Sequence, residues 1–146
     1  MRTTWIAIKF IYLYIAYWLV GLEDEDFYIT KGNYFADLGK YYSAIKCFKK
    51  ALNESEMYSL YASIGWCYTA IDNDAEALKN YRKAYGKIKR HYVTVPLASL
   101  EMENGNIDNC KEVFENIKEE RDELPEESQE LYDGVKEFLN RRETYN

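Results

Sequence analysis

The chain has 146 residues, a net charge of −6, two prolines and seven glycines, enough for one modest domain and well suited to an all-helical one. Phosphates are held by clustered Lys and Arg, so the acidic balance argues against a nucleic-acid binder. Cys47, Cys67 and Cys110 show no C-x-x-C spacing, which excludes a disulfide framework and a zinc site.

Residues 4–22 read TWIAIKFIYLYIAYWLVGL, with Lys9 as the one charge. A helix of that length rises about 28 Å, near the hydrocarbon thickness of a bilayer. Its apolar residues run all the way round, Lys9 can snorkel, and Trp5 and Trp18 stand near opposite ends as interface aromatics do. These features predict a single-pass membrane anchor within residues 1–24, and hence a membrane location. Arg2 and Lys9 before the segment, against Lys31 and Lys40 after it, tip the orientation toward N-in. Two other readings stand beside the anchor. One is a cleaved secretory signal, disfavoured because no small-x-small site precedes Gly21. The other is an apolar helix packed in protein, under the rest of the chain or in a partner.

After the acidic run Glu23–Asp26, a helix is expected over Phe27 to Leu38, closed by Gly39 as a left-handed cap. A second helix follows over Tyr41 to Leu52, with Ile45, Phe48 and Leu52 on one face. Gly32 and Ala44 are the small residues at which the two backbones approach. The pattern then returns 33 residues on: Tyr28, Lys31, Gly32, Phe35, Ala44, Phe48 and Ala51 become Tyr61, Ile64, Gly65, Tyr68, Ala77, Tyr81 and Ala84. Asp72-Asn73-Asp74 replaces the turn glycine and can tolerate its conformation. The next helix is expected from Ala75 toward Arg90. Its basic tail of Arg82, Lys83, Lys87, Lys89 and Arg90 reads either as a solvated helix end or as a docking patch for an acidic partner or anionic headgroups.

The third copy is degenerate. Gly105, Cys110, Phe114 and Ile117 stand 33 after Asp72, Ala77, Tyr81 and Ala84. Pro96 is tolerated in a first turn but not mid-helix, which predicts a short helix beginning near Thr94 or Val95. Glu101 stands where Phe35 and Tyr68 stood, so packing there must differ. Finally, Pro125 suits a helix start, and Leu131, Val135, Phe138 and Leu139 form an i, i+4, i+7, i+8 stripe for a terminal helix.

This frame resembles the tetratricopeptide repeat (TPR), whose pattern is W-x2-L-G-x2-Y and then A-x3-F. The resemblance is strong from Phe27 to Tyr85, weaker to Lys118 and absent from the N-terminal segment; Lys31 departs from it where the pattern has Leu. It implies an all-α fold: a short solenoid of about three helical hairpins over 25–124 (25–56, 57–90 and 91–124). A capping helix over 125–146 would follow, and the apolar helix would precede.

No catalytic, cofactor or metal site is expected. His91 is the one histidine, and there is no glycine-rich phosphate loop, H-E-x-x-H or zinc spacing. The cysteines read as small buried hydrophobes, Cys110 filling the slot of Ala44 and Ala77. The resemblance implies a non-enzymatic scaffold whose concave groove holds a protein or peptide. In the family's helix frame the groove would present Ile29, Asn33, Ala36 and Asp37, then Ala62, Trp66, Thr69 and Ala70, then Tyr92, Val95, Ser99, Met102 and Glu103. Trp66 is the expected anchor, since large aromatics dominate interfaces. Of the family's carboxylate clamp Asn33 matches, but Ile29, Ser63, Tyr92 and Pro96 occupy the other positions. An apolar or basic helix is therefore the favoured partner. Taken together, the sequence reads as a membrane-anchored adaptor. The alternatives are an accessory subunit of a membrane complex and a soluble protein whose apolar helix lies in its own or a partner's groove.

Overall fold

The structure, a computed structural model, describes residues 8, 11–12, 14–15, 17–19, 24–54, 57–118 and 121–144. Among them are seven α-helices and a 3₁₀ turn at Arg121–Glu123, with no strand. The helices are α1 Glu25–Asp37, α2 Tyr41–Glu54, α3 Tyr58–Thr69, α4 Asp74–Tyr85, α5 His91–Glu103, α6 Ile107–Glu115 and α7 Glu126–Thr144. Two compact units divide the chain, Met1–Asn73 and Asp74–Asn146. The boundary falls between α3 and α4, inside the second repeat.

The 33-residue period is written most sharply in the helix ends. Gly39, Asp72 and Gly105 have φ of 69°, 55° and 74°. Each is followed by an amide that reaches back over the turn: Lys40 to the Phe35 carbonyl at 2.8 Å, Asn73 to Tyr68 at 3.0 Å, Asn106 to Glu101 at 2.8 Å. These bonds satisfy carbonyls that a helix end otherwise leaves open. Asp72 thus takes the left-handed conformation expected of its turn.

In the first unit, α1 begins on Asp24, whose Oδ1 accepts the Phe27 amide at 3.0 Å. The core joins Phe27, Tyr28 and Ala36 of α1 to Ala44, Ile45, Phe48 and Ala51 of α2 and to Leu60, Ile64 and Cys67 of α3. Gly32 works differently from expectation. A Cβ there would lie 2.5 Å from Phe48 Cε1, so its missing side chain seats an aromatic ring. Lys31, the departure from the repeat pattern, is half-buried with its ammonium 5.2 Å from the Phe27 ring centre, a cation–π contact.

The expected membrane location is corrected: among the described residues, no helix is long and apolar enough to cross a membrane. Most of residues 4–22, and with them most of the anchor reading, lie outside the described residues. Of those described, Tyr17 places its ring 5.1 Å from Phe27 and joins the edge of the core. Its contact is with protein. Burial raises the Tyr17 hydroxyl pKa, with the charges of Asp24 and Asp26 adding to the shift.

In the second unit, α5 packs against α4, α6 and α7. It is buried nearly all round, through Val93, Val95, Leu97, Ala98 and Leu100. The short helix expected from Pro96 is not what forms: α5 starts at His91 and carries Pro96 inside it. Proline here removes the donor that would otherwise reach the carbonyl of Tyr92. The packing of α5 on three neighbours outweighs that loss. α4 is also shorter than expected. It stops at Tyr85, and Gly86 and Lys87 form a turn in which the Lys87 and Ile88 amides both donate to Ala84.

The terminal helix α7 is rotated from the stripe read in sequence. Tyr132 (1% exposed), Val135 and Leu139 face inward, while Leu131 is 44% exposed and Phe138 half-buried. Two contacts set that rotation. The Tyr132 hydroxyl donates to the Lys118 carbonyl, and Arg121 Nε donates to Asp133 Oδ1 at 2.7 Å.

Candidate protein-binding surface

The residues expected to line a groove fall in both units. Ile29, Asn33, Asp37, Trp66 and Thr69 belong to the first; Tyr92, Val95, Ser99 and Met102 belong to the second.

In the first unit, helical spacing puts Ile29, Asn33 and Asp37 on one side of α1. Ile29 is half-buried against the core, while Asn33 and Asp37 are exposed. Trp66 and Thr69 sit one turn apart on α3. Thr69 Oγ1 donates to the Gly65 carbonyl at 3.2 Å, which commits its hydroxyl to its own helix. Trp66 is 50% exposed. Its ring stands edge-on to Tyr41 of α2, centroids 5.6 Å apart and planes at 80°, so a large aromatic is held in place while one face stays open. Tyr41 was not among the sequence-derived site residues. The signal that could have found it was an aromatic at the first position of α2, directly after the left-handed turn.

In the second unit, Tyr92 is exposed and packs edge-on to His91 at 6.0 Å. Met102 is half-buried. Val95 and Ser99 are buried, and Ser99 Oγ donates to the exposed Glu103 Oε1 at 3.1 Å. The burial of those two side chains follows from α5 being covered by three helices. The basic run is partly committed within the chain: Arg82 pairs with Glu101, and Lys89 lies 3.1 Å from the Tyr85 ring centre.

All three cysteines are buried and unbridged, with Cys110 fully enclosed in its small-residue slot. Burial pushes the thiols of Cys67 and Cys110 up to about 11 and raises Cys47 as well. These are packing residues with suppressed nucleophilicity. Among the described residues, no group of three or more His, Cys, Asp or Glu side chains is placed to hold a metal ion.

Comparison with known proteins bears on the fold. Residues 25–56, spanning α1 and α2, match the family model described as tetratricopeptide repeat. A search of the curated proteins found no match. The fold is similar to the crystal structure of the Sgt2 TPR domain from Aspergillus fumigatus. The TM-score is 0.68 at 16% identity, covering 84% of this chain and 83% of that one. It is also similar to PcrH in complex with the chaperone binding region of PopD, with a TM-score of 0.58 at 17% identity over 75% of this chain and 84% of that one. The complex of PcrH with the chaperone binding region of PopB gives 0.60 at 17% identity over 79% and 94%.

Proposed function

We propose that this chain, which carries a tetratricopeptide repeat at residues 25–56 in an all-helical fold shared with TPR domains, is a non-catalytic scaffold that binds a protein or peptide partner. The observation that carries the reading is Trp66. A half-exposed tryptophan on α3, braced edge-on by Tyr41, has the form of an interface anchor: large, rigid and already oriented. Asn33 and Asp37 on α1 supply polar and acidic character in the same unit. A partner segment with an apolar residue to cover the indole and Lys or Arg beside it fits that chemistry. In the second unit, taken by itself, the exposed Tyr92 and the half-buried Met102 are candidate contacts. PcrH, a structural neighbour, is itself seen in complex with the chaperone binding regions of PopD and PopB, which supports peptide capture as a use of this fold.

A second reading rests on the contact of Tyr17 with Phe27. Tyr17 then packs on the first repeat and serves its stability.

The test is selection of binders from a random peptide library on the full-length chain, followed by titration of enriched peptides against wild type and Trp66→Ala. Enriched sequences should be apolar and basic, and the substitution should weaken them at least about tenfold, near 1.4 kcal/mol, with helicity unchanged. Equal affinity for both proteins would remove Trp66 from the site. For the second reading, Tyr17→Ala should lower the unfolding midpoint and leave peptide affinity alone.

A further inference from the structure

We propose that α7 is a self-association helix, and that two copies of this chain pair antiparallel through its outer face with Gly134 at the crossing point.

Three observations lead there. The first is a glycine that no contact among the described residues calls for. Gly134 lies mid-helix, exposed, and a Cβ built on it meets no atom within 4 Å. Mid-helix glycine is less favourable than alanine, and no neighbour among the described residues needs the space. Close approach of a second backbone does need it.

The second observation is what flanks the glycine. Leu131, Gly134 and Phe138 follow one another at spacings of three and four, which places them on one side of the helix. Leu131 and Phe138 border the buried stripe of Tyr132, Val135 and Leu139, which holds α7 against the rest of its unit, and Gly134 stands further round toward solvent. Leu131 is exposed, and Phe138 is half-buried with the Arg142 guanidinium 5.3 Å from its ring centre. The apolar pair therefore brackets the open position.

The third is charge, which selects both occupant and direction. Residues 126–133 (EESQELYD) hold four acids and no base; residues 136–144 (KEFLNRRET) hold three bases and two acids. Parallel pairing would lay acid on acid. Antiparallel pairing lays the acidic half of each copy on the basic half of the other, and a two-fold axis makes the arrangement self-complementary. The midpoint of α7 falls at Val135, one residue from Gly134. A second α7 thus matches the surface in length, charge and crossing point. A helix of 19 residues is only about 28 Å long, so the interface falls at the small end of specific contacts and the dimer is a weak one, with a dissociation constant of order micromolar.

Sedimentation equilibrium on the full-length chain tests this over a concentration series, at low salt and at about 1 M salt, where exposed charge pairs are screened. Wild type should show a reversible dimer that weakens with salt. Gly134→Gln fills the crossing without touching the monomer. It should keep or raise the unfolding midpoint in dilute protein while weakening the dimer at least about tenfold. Arg141→Glu with Arg142→Glu should also dissociate it. Adding Glu126→Arg and Glu130→Arg to that variant should restore it, a rescue that a merely helix-stabilising role would not produce. A monomer at every concentration would overturn the proposal. So would a dimer indifferent to both Gly134→Gln and the charge reversal, since a second copy would then be using another surface.

Discussion

Arg82 of α4 grips Glu101 of α5 in a two-pronged ion pair, Nε to Oε1 at 2.6 Å and Nη2 to Oε2 at 2.7 Å. Asn106 Nδ2 donates a third bond to Oε2 at 2.9 Å. The pair is lopsided: the Glu101 side chain is 2% exposed and the Arg82 side chain 47%. The carboxylate therefore carries most of the desolvation cost, and the arginine is what makes its burial tolerable. This is how the third repeat replaces the aromatic ring that Phe35 and Tyr68 supply in the first two.

Removing the arginine should hurt more than removing both partners. Arg82→Ala strands a buried charge and should cost about 3 kcal/mol. Arg82→Ala combined with Glu101→Met, which fills a similar volume without charge, should recover most of that loss. Urea unfolding followed by circular dichroism measures both. Simple additivity of the two single substitutions would show that the ion pair does not couple α4 to α5.

The turns give a second prediction. Gly39 and Gly105 have positive φ, and a Cβ at either meets nothing within 4 Å. Alanine there should therefore cost only the backbone penalty of the left-handed region, about 1 kcal/mol. Asp72 already bears such a penalty, so Asp72→Gly should be neutral or mildly stabilising. Thermal unfolding of the three single variants tests this; a loss at Asp72→Gly equal to that at Gly39→Ala would mean the aspartate side chain holds the turn.

Much of this fold was legible because the 33-residue frame repeats both its small residues and its turn positions. The helix start at Tyr41 and the left-handed ends at 39, 72 and 105 follow from local chemistry. The overlong α4 is a local error, ended by the turn at Gly86 and Lys87; the misreadings of α5 and α7 come from tertiary packing. Pro96 looked like a helix boundary, but three helices hold α5 together around it. Leu131 fitted the inward stripe as well as Tyr132 does; the bond from the Tyr132 hydroxyl to Lys118, which local periodicity does not show, decides the rotation. At the candidate surface, Trp66 was readable from the frame, whereas its brace Tyr41 belongs to a different helix. The burial of Val95 and Ser99 depends on what covers α5.

The cysteines carry a pH prediction. The thiols of Cys67 and Cys110 are pushed up to about 11 by burial, against about 8.5 in an unfolded chain. A raised folded value means the unfolded chain loses its protons first as pH climbs. The stabilising contribution is whole below about 8.5 and declines as pH rises toward 11. Native protein at pH 8 should show no fast-reacting thiol with a disulfide reagent, and all three should react in urea. One fast thiol in the native state would place that cysteine outside the core.

Two helix glycines should respond to the same substitution with opposite signs. At Gly32 a Cβ would meet Phe48 Cε1 at 2.5 Å and Cδ1 at 2.7 Å. Phe48 is itself buried between α1 and α2, so its ring has little room to retreat. Gly32→Ala should cost about 1–3 kcal/mol through overpacking. At Gly134 no atom stands within 4 Å, and alanine should stabilise the folded chain by about 0.5–1 kcal/mol, measured in dilute protein. Unfolding midpoints that move in opposite directions would confirm that one glycine is required by the ring beside it and the other by none of the described residues. A destabilising Gly134→Ala would mean a neighbour does fill that space, and the case for a second α7 at the crossing would lose its first support.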